Sequence, residues 1–242
     1  MRYTHNIKSL RKRKHTLKIS LIFTFFLVIF IFVVGFTMLD AKQFFLGFLA
    51  SFMRVSVAYV IALLLSITIS LLVTSTPYVE EISLPLLDAL QSFPAFSLLP
   101  LLIVWFGKTD IVIIIILVIE MVWPLLFTIL SGQKQIRQDL IDASHAFGAT
   151  KLKYVLYVLF PLLFPAIITG SIVAWGEAWE TIIAAEIIVA LPGVGTYLSE
   201  NGTSTNSHIL AIGIFLLLLI LFILNKYIWL PLLTMSTKYQ QE

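Results

Sequence analysis

Glu120 stands alone in a run of aliphatic residues, Ile111 to Met121. A charged side chain at the centre of a membrane helix costs roughly 2.5–3.5 kcal/mol on insertion scales, so it must face protein or a watered path, or take up a proton. The chemistry open to Glu120 is gating or proton carriage, and the plainer alternative is a helix–helix hydrogen bond. Three more glutamates, Glu177, Glu180 and Glu186, fall among apolar residues in 175–190. At ~100° per residue Glu177 and Glu180 share a helix face and Glu186 points away from it. The three therefore do not form one site, and Glu177 and Glu180 are read as markers of the outer membrane boundary.

Catalysis finds little support. His5, His15, His145 and His208 are scattered without ligand spacing, and the chain has no cysteine, which removes thiolate chemistry and cysteine metal sites. The pairs Ser131-Gly132 and Ser144-His145 are too common to mark a nucleophile. An intramembrane enzyme would need Glu120 to converge with Glu186, and nothing in the sequence positions them together. A phosphate-cradling G-x-x-x-x-G-K-[ST] loop is missing from the sequence, so ATP, if used, is expected to be hydrolysed by another chain. The expectation is a protein without catalytic residues, metal or cofactor of its own.

The elements that must position these residues are helices in a membrane. The 242 residues are 60% hydrophobic and 12% charged, with mean hydropathy +1.01. A soluble domain carries about twice that share of charge. Apolar runs near 20 residues recur, the length that crosses ~30 Å of hydrocarbon as a helix, and they lack the alternation of a barrel. The net charge of +3 is no nucleic-acid signature, because the basic residues flank the apolar runs. The fold class expected is all-α and polytopic, one domain over 1–242.

About six crossings are expected. A basic tail, 1–17, precedes a first helix near 18–39, which is too long for a signal h-region and lacks a small-residue cleavage site after it. A short amphipathic stretch leads to a second helix at 55–75, and Thr76-Pro77 opens a polar loop. The third helix, 83–106, carries Pro85, Pro94 and Pro100; such breaks are tolerated where they line a cavity, which makes Pro94 a candidate path residue. A fourth helix spans 111–131 and a fifth 154–174, with 175–190 either its continuation or a re-entrant segment. A loop at 191–208 precedes the last helix, 209–232. With the N-terminus inside, thirteen of the sixteen basic residues are cytoplasmic and only Lys42, Arg54 and Lys108 are not, as the positive-inside rule requires.

That orientation makes 132–153, the most polar internal segment, cytoplasmic. Asp139 is placed to cap a short helix and Asp142 to put a second carboxylate in its positive first turn. Gly148 suits the left-handed residue past its end, and Thr150 is placed to cap the next helix. Small residues Ala143, Ser144 and Ala146 permit close approach by another backbone. So short a helix is marginal alone and implies a partner surface.

Asp142-Ala143-Ser144, then Gly148, then Val158-Leu159-Phe160-Pro161 resembles the E-A-A-x3-G-x9-I-x-L-P loop of binding-protein-dependent ABC transporter permeases. Arg54, the Pro94–Gly107 stretch, Trp123-Pro124 to Gly132, Ala178-Trp179 and Ala185-Glu186 are similar to the nitrate/sulfonate/taurine-type branch, and the match at Ala185-Glu186 implies a structural or gating role for Glu186. The likeness covers roughly 50–230. It implies a type I importer-like fold whose coupling helix (Asp142, Ala143, Ser144, His145, Phe147 and Gly148) docks on a separate ATPase subunit. It also implies an extracytoplasmic solute-binding protein, a second permease copy, and a place in the plasma or inner membrane with both termini cytoplasmic. Asp142, Ser144 and Phe160 stand where the pattern has Glu, Ala and Leu, which keeps charge and small volume at the first two. The implied role is the permease subunit of an ATP-driven importer of a small solute. A secondary transporter using Glu120 as proton carrier is the alternative.

Overall fold

The computed structural model describes Thr24 and residues 41–149, 152–203 and 207–236. The basic tail, the first expected helix apart from Thr24, and Thr150 lie outside the described residues. Among those described, four helices are long and apolar enough to cross a membrane, or five if one bent pair counts as a single span. The chain is a multi-pass membrane protein, and the six expected crossings are seen in part.

The first helix, α1, is Ala41–Val73. It joins the amphipathic stretch and the second helix of the sequence reading into one rod, because Lys42, Gln43 and Arg54 sit in it without breaking it. Thr76-Pro77 is a helix start rather than a loop. Thr76 is extended and its hydroxyl accepts from the Val79 N–H, Pro77 takes a position where no N–H is needed, and α2 runs Pro77–Gln91.

The helix expected over 83–106 is broken. A 3-10 turn at Ala95–Leu98 and α3, Leu99–Phe106, follow α2, with a bend of 71° between the two halves. Pro94, at φ −69° and ψ 107°, sits at the elbow. Gly107 at φ 70° ends α3 and α4 is Asp110–Lys134.

A short polar helix, α5, is Gln138–Ala146. The chain re-enters through Leu152–Tyr154 and a π-helical turn at Val155–Leu159, ahead of Pro161, whose missing N–H disturbs the α ladder. The next helix, α6, is Phe160–Val189 and unbroken, so 175–190 continues the fifth expected helix and is not re-entrant. The expected 191–208 loop contains a further helix, α7, Val194–Thr203. The last span comprises α8, Ser207–Leu224, a second π-helical turn at Asn225–Trp229 ahead of Pro231, and α9, Leu230–Ser236.

The centre of the bundle is α4, packed between α1 and α6. Ile113, Ile116, Leu117, Met121 and Leu125 of α4 are fully buried, against Ala58 and Ala62 of α1 and Ala174, Ala178 and Ala185 of α6. Lipid is as apolar as leucine, so these helices associate through close packing, which small residues permit. Ser66 adds a hydrogen bond to the Val122 carbonyl at 3.1 Å.

Candidate functional site

Three cavities lie end to end along α4 and α6. The first, about 490 Å³, is lined by Phe96, Glu120, Glu177, Glu180, Thr181 and Ala184. The second, about 470 Å³, shares Glu120 and Glu177 with it and adds Gln91, Trp123, Pro124, Phe127, Thr128 and Ser131. The third, about 720 Å³, shares Thr128 and Ser131 and continues past Gln135, Arg137 and Leu140 to Pro161, Pro165 and Thr169. Residues 120, 124, 128, 131 and 135 recur at helical spacing, so α4 presents one polar stripe to the whole groove.

Pro124 helps to make that stripe. Lacking an N–H, it leaves the Glu120 carbonyl without its usual helical donor, and its own carbonyl accepts from Thr128 Oγ1 at 2.6 Å. Glu177 and Glu180 line the first cavity together with Glu120. Pro94 stands at the elbow between Gln91 and Phe96, which line the groove, but is not itself among the lining residues.

Glu186 does not join them. Its carboxylate is fully buried and accepts from three donors on two helices at once. Ser51 Oγ and Arg54 Nη1 of α1 each donate to Oε1 at 2.7 Å, and the Gly195 N–H at the start of α7 donates to Oε2 at 2.9 Å. The pairing of Glu120 with Glu186 that an intramembrane enzyme would need is therefore not formed. Arg54 is not at a helix start, as the sequence suggested, but inside α1 with 9% exposure. It also donates to the Pro192 carbonyl at 2.9 Å and, through Nε, to Asp110 at 2.7 Å.

At the other end of the bundle Lys134 pairs with Glu80 at 2.8 Å, and α5 begins three residues beyond Gln135. Asp139 is not the cap residue. It lies inside the first turn, where Arg137 Nε donates to it at 3.0 Å, and Asp142 accepts from Gln138 Nε2 at 3.0 Å. Gly148 has φ 80°. The Phe147 N–H reaches the Ala143 carbonyl and the Ala149 N–H the Ser144 carbonyl, each at 3.0 Å, which closes the helix with a left-handed glycine. Asp142, Ala143 and Gly148 are exposed, and Phe147 is 93% exposed. His145 lies on the α5 backbone, and its side chain is outside the described part. Leu140 of α5 lines the third cavity, so the groove ends against this helix.

Residues 66–228 match the family model of the binding-protein-dependent transport system inner membrane component. That match takes in α4, α5 and α6 together. The chain belongs to this family. Among curated members, it is 29% identical over 73% of its length to the taurine transport system permease protein TauC of Escherichia coli (strain K12), covering 64% of that protein. It is 29% identical over 67% of its length to the nitrate import permease protein NrtB of Leptolyngbya laminosa, covering 59% of it. With the bicarbonate transport system permease protein CmpB of Synechococcus elongatus it shares 30% identity over 62% of its length and 54% of that protein. The chain thus matches between 54% and 64% of the length of these relatives.

Sequence reasoning found Glu120 and the α5 segment but missed the wall formed by Trp123, Thr128 and Ser131 and the partners of Arg54. The stripe was readable in the spacing of α4. The Arg54 partners were not, since Glu186 is 132 residues away.

Proposed function

We propose that this chain is the membrane-spanning permease subunit of an ATP-driven importer, with residues 1–242 forming one permease domain. The observation that carries this is the continuous groove on α4 and α6 that ends against α5. A path and a docking helix are what a subunit needs if it conducts a solute and takes its energy from another chain. Residues 132–153 are then the coupling loop, with Asp142, Ala143, Ser144, His145, Phe147 and Gly148 meeting a separate ATPase subunit. The exposed Phe147 and the glycine-closed helix end support that role, because a large apolar side chain left in water calls for a partner.

The path runs between Glu120, Glu177 and Glu180 on one side of the membrane and Arg137 and Leu140 on the other, with Pro94 at the adjoining elbow. The termini are cytoplasmic, in keeping with the basic residues around α5. A second permease copy closes the groove, and an extracytoplasmic binding protein delivers the solute at the α7 end. ATP is bound and hydrolysed by the partner, not by this chain.

The relatives are named for taurine, nitrate and bicarbonate. Neither outer cavity has Lys or Arg in its lining, and together they carry three glutamates. The indole N–H of Trp123, beside them, is buried without an acceptor among the described residues. Such a wall repels an unaccompanied anion and suits a small polar solute whose own positive group balances its charge.

The test is uptake into proteoliposomes holding this chain, its ATPase and its binding protein, with labelled taurine, nitrate and bicarbonate as probes. The expected result is ATP-dependent uptake that survives a proton ionophore, with taurine preferred over the two inorganic anions. Uptake that needs a proton gradient and no ATP would establish the secondary-transporter alternative instead.

A further inference from the structure

We propose that Arg54 is the positioning residue of the outer rim: it clamps the α6–α7 hairpin to α1 and α4, so that the rim and the groove wall move as one body.

Two nitrogens of the guanidinium serve three acceptors. Nη1 is shared between Glu186 of α6, at 2.7 Å, and the Pro192 carbonyl in the α6–α7 connection, at 2.9 Å. Nε holds Asp110 at the first residue of α4, at 2.7 Å. One side chain of α1 therefore ties three other segments through two nitrogens held at fixed positions, a spread that a planar guanidinium offers and the single nitrogen of an ammonium does not.

The connection itself is shaped to receive this clamp. Ala190 turns it in the left-handed region, at φ 60°. A Cβ at Gly193 would collide with the Glu186 carboxyl group, and one at Gly195 with the Ile183 carbonyl. The chain thus wraps the carboxylate closely enough for the Gly195 N–H to bond it, while the Val194 N–H donates to Ser51 Oγ at 3.0 Å. Glu186 in this way occupies the positive N-terminus of α7 from inside the protein. Beyond the clamp, Tyr197 packs edge-on against Phe44 of α1, ring centres 5.5 Å apart, so α7 lies across the end of the bundle. The same α6 carries Glu177 and Glu180 into the groove. Fixing α7 to α1 and α4 through Arg54 therefore fixes the outer rim relative to the path wall.

The consequence for transport rests on the proposed function, but the clamp can be measured without it. The chain has no cysteine, so spin labels go at Lys42→Cys and Ser199→Cys, across α1 and α7, in the full-length protein in lipid nanodiscs. A control pair at the exposed Gln135→Cys and Tyr157→Cys reports the opposite end of the bundle, away from Arg54 and its partners. Electron–electron resonance distances are recorded in the native background and in Arg54→Gln. The expected result is one narrow α1–α7 distance that broadens or shifts by about one helical turn, ~5 Å, in Arg54→Gln, with the control pair unchanged. Arg54→Lys, which keeps the charge but offers only a single nitrogen, is expected to broaden the same distance and serves if Arg54→Gln does not fold. An unchanged α1–α7 distance overturns the proposal. So does broadening of both pairs, or failure of both variants to fold, since either outcome makes Arg54 a general packing residue. Failure of uptake in the native protein would remove the transport function and leave these distances as they are.

Discussion

Arg54 Nη1 and Glu186 Oε1 lie 2.7 Å apart across 132 residues of sequence, with the glutamate fully buried. Removing two charges from water costs several kcal/mol per ion, and their attraction recovers this only if every remaining lone pair and proton is used. Here they are used. Ser51 and the Gly195 N–H satisfy the carboxylate, and Pro192 and Asp110 occupy the guanidinium.

The first expectation follows from the two unequal arms of Arg54. Glu186→Ala strands a buried guanidinium and opens the start of α7, and breaking such a pair costs about 3–5 kcal/mol. Asp110 has a side chain 62% exposed, and an exposed ion pair contributes only ~0–1 kcal/mol. Thermal unfolding of the purified protein in detergent should therefore separate Glu186→Ala clearly from Asp110→Ala. Equal losses would mean that the buried network does not hold the fold.

A second expectation concerns sidedness. Gln135 lies beside α5, and Ser199 is in α7 at the opposite end of the bundle. In intact cells an impermeant thiol reagent should label Ser199→Cys and spare Gln135→Cys. The reverse pattern would place α5 outside and remove it from any ATPase.

How much of this could be read from sequence depends on the range of the interactions. The closure of α5 at Gly148 is local, set by residues within one turn, and was legible. Thr76-Pro77 was misread because the same two residues serve as a loop signal and as a helix start. The continuity of α6 was obscured by three glutamates within ten residues, which resemble a boundary when their partners are unknown. Arg54, Ser51 and the α7 start supply those partners for Glu186, and a cavity receives the other two. The helix hidden in 191–208 was missed for a related reason: Gly193 and Gly195 are there for close approach to Glu186 and Ile183, not for flexibility.

Glu120 gives a third expectation. It shares the outer cavities with Glu177 and Glu180, so the wall carries acid in excess. Glu120→Gln keeps shape and hydrogen bonding, and should leave ATP-dependent uptake of a zwitterionic probe within a fewfold of native. Glu120→Lys reverses the local charge and should shift preference toward nitrate. Full retention of probe preference in Glu120→Lys would take this residue out of the path.

The last expectation bears on energy coupling and uses two substitutions at Gly148. Its φ of 80° is one that side chains rarely adopt, and a Cβ there would meet nothing within 4 Å. The cost of Gly148→Ala is then backbone strain alone, ~1 kcal/mol, too little to unfold the bundle. Gly148→Asp adds a charge at the C-terminal, negative end of the α5 dipole, a further penalty of about 0.3–1 kcal/mol, and places it next to exposed Phe147. Both variants should insert and accumulate normally, since α5 lies outside the packed spans. If α5 is the surface on which an ATPase closes, Gly148→Ala should weaken uptake moderately and Gly148→Asp should abolish it. The ATPase should co-purify poorly with the second variant only. The discriminating measurement is that co-purification set beside uptake in the same vesicles. Normal uptake by Gly148→Asp, with the ATPase still bound, would show that force enters this protein elsewhere.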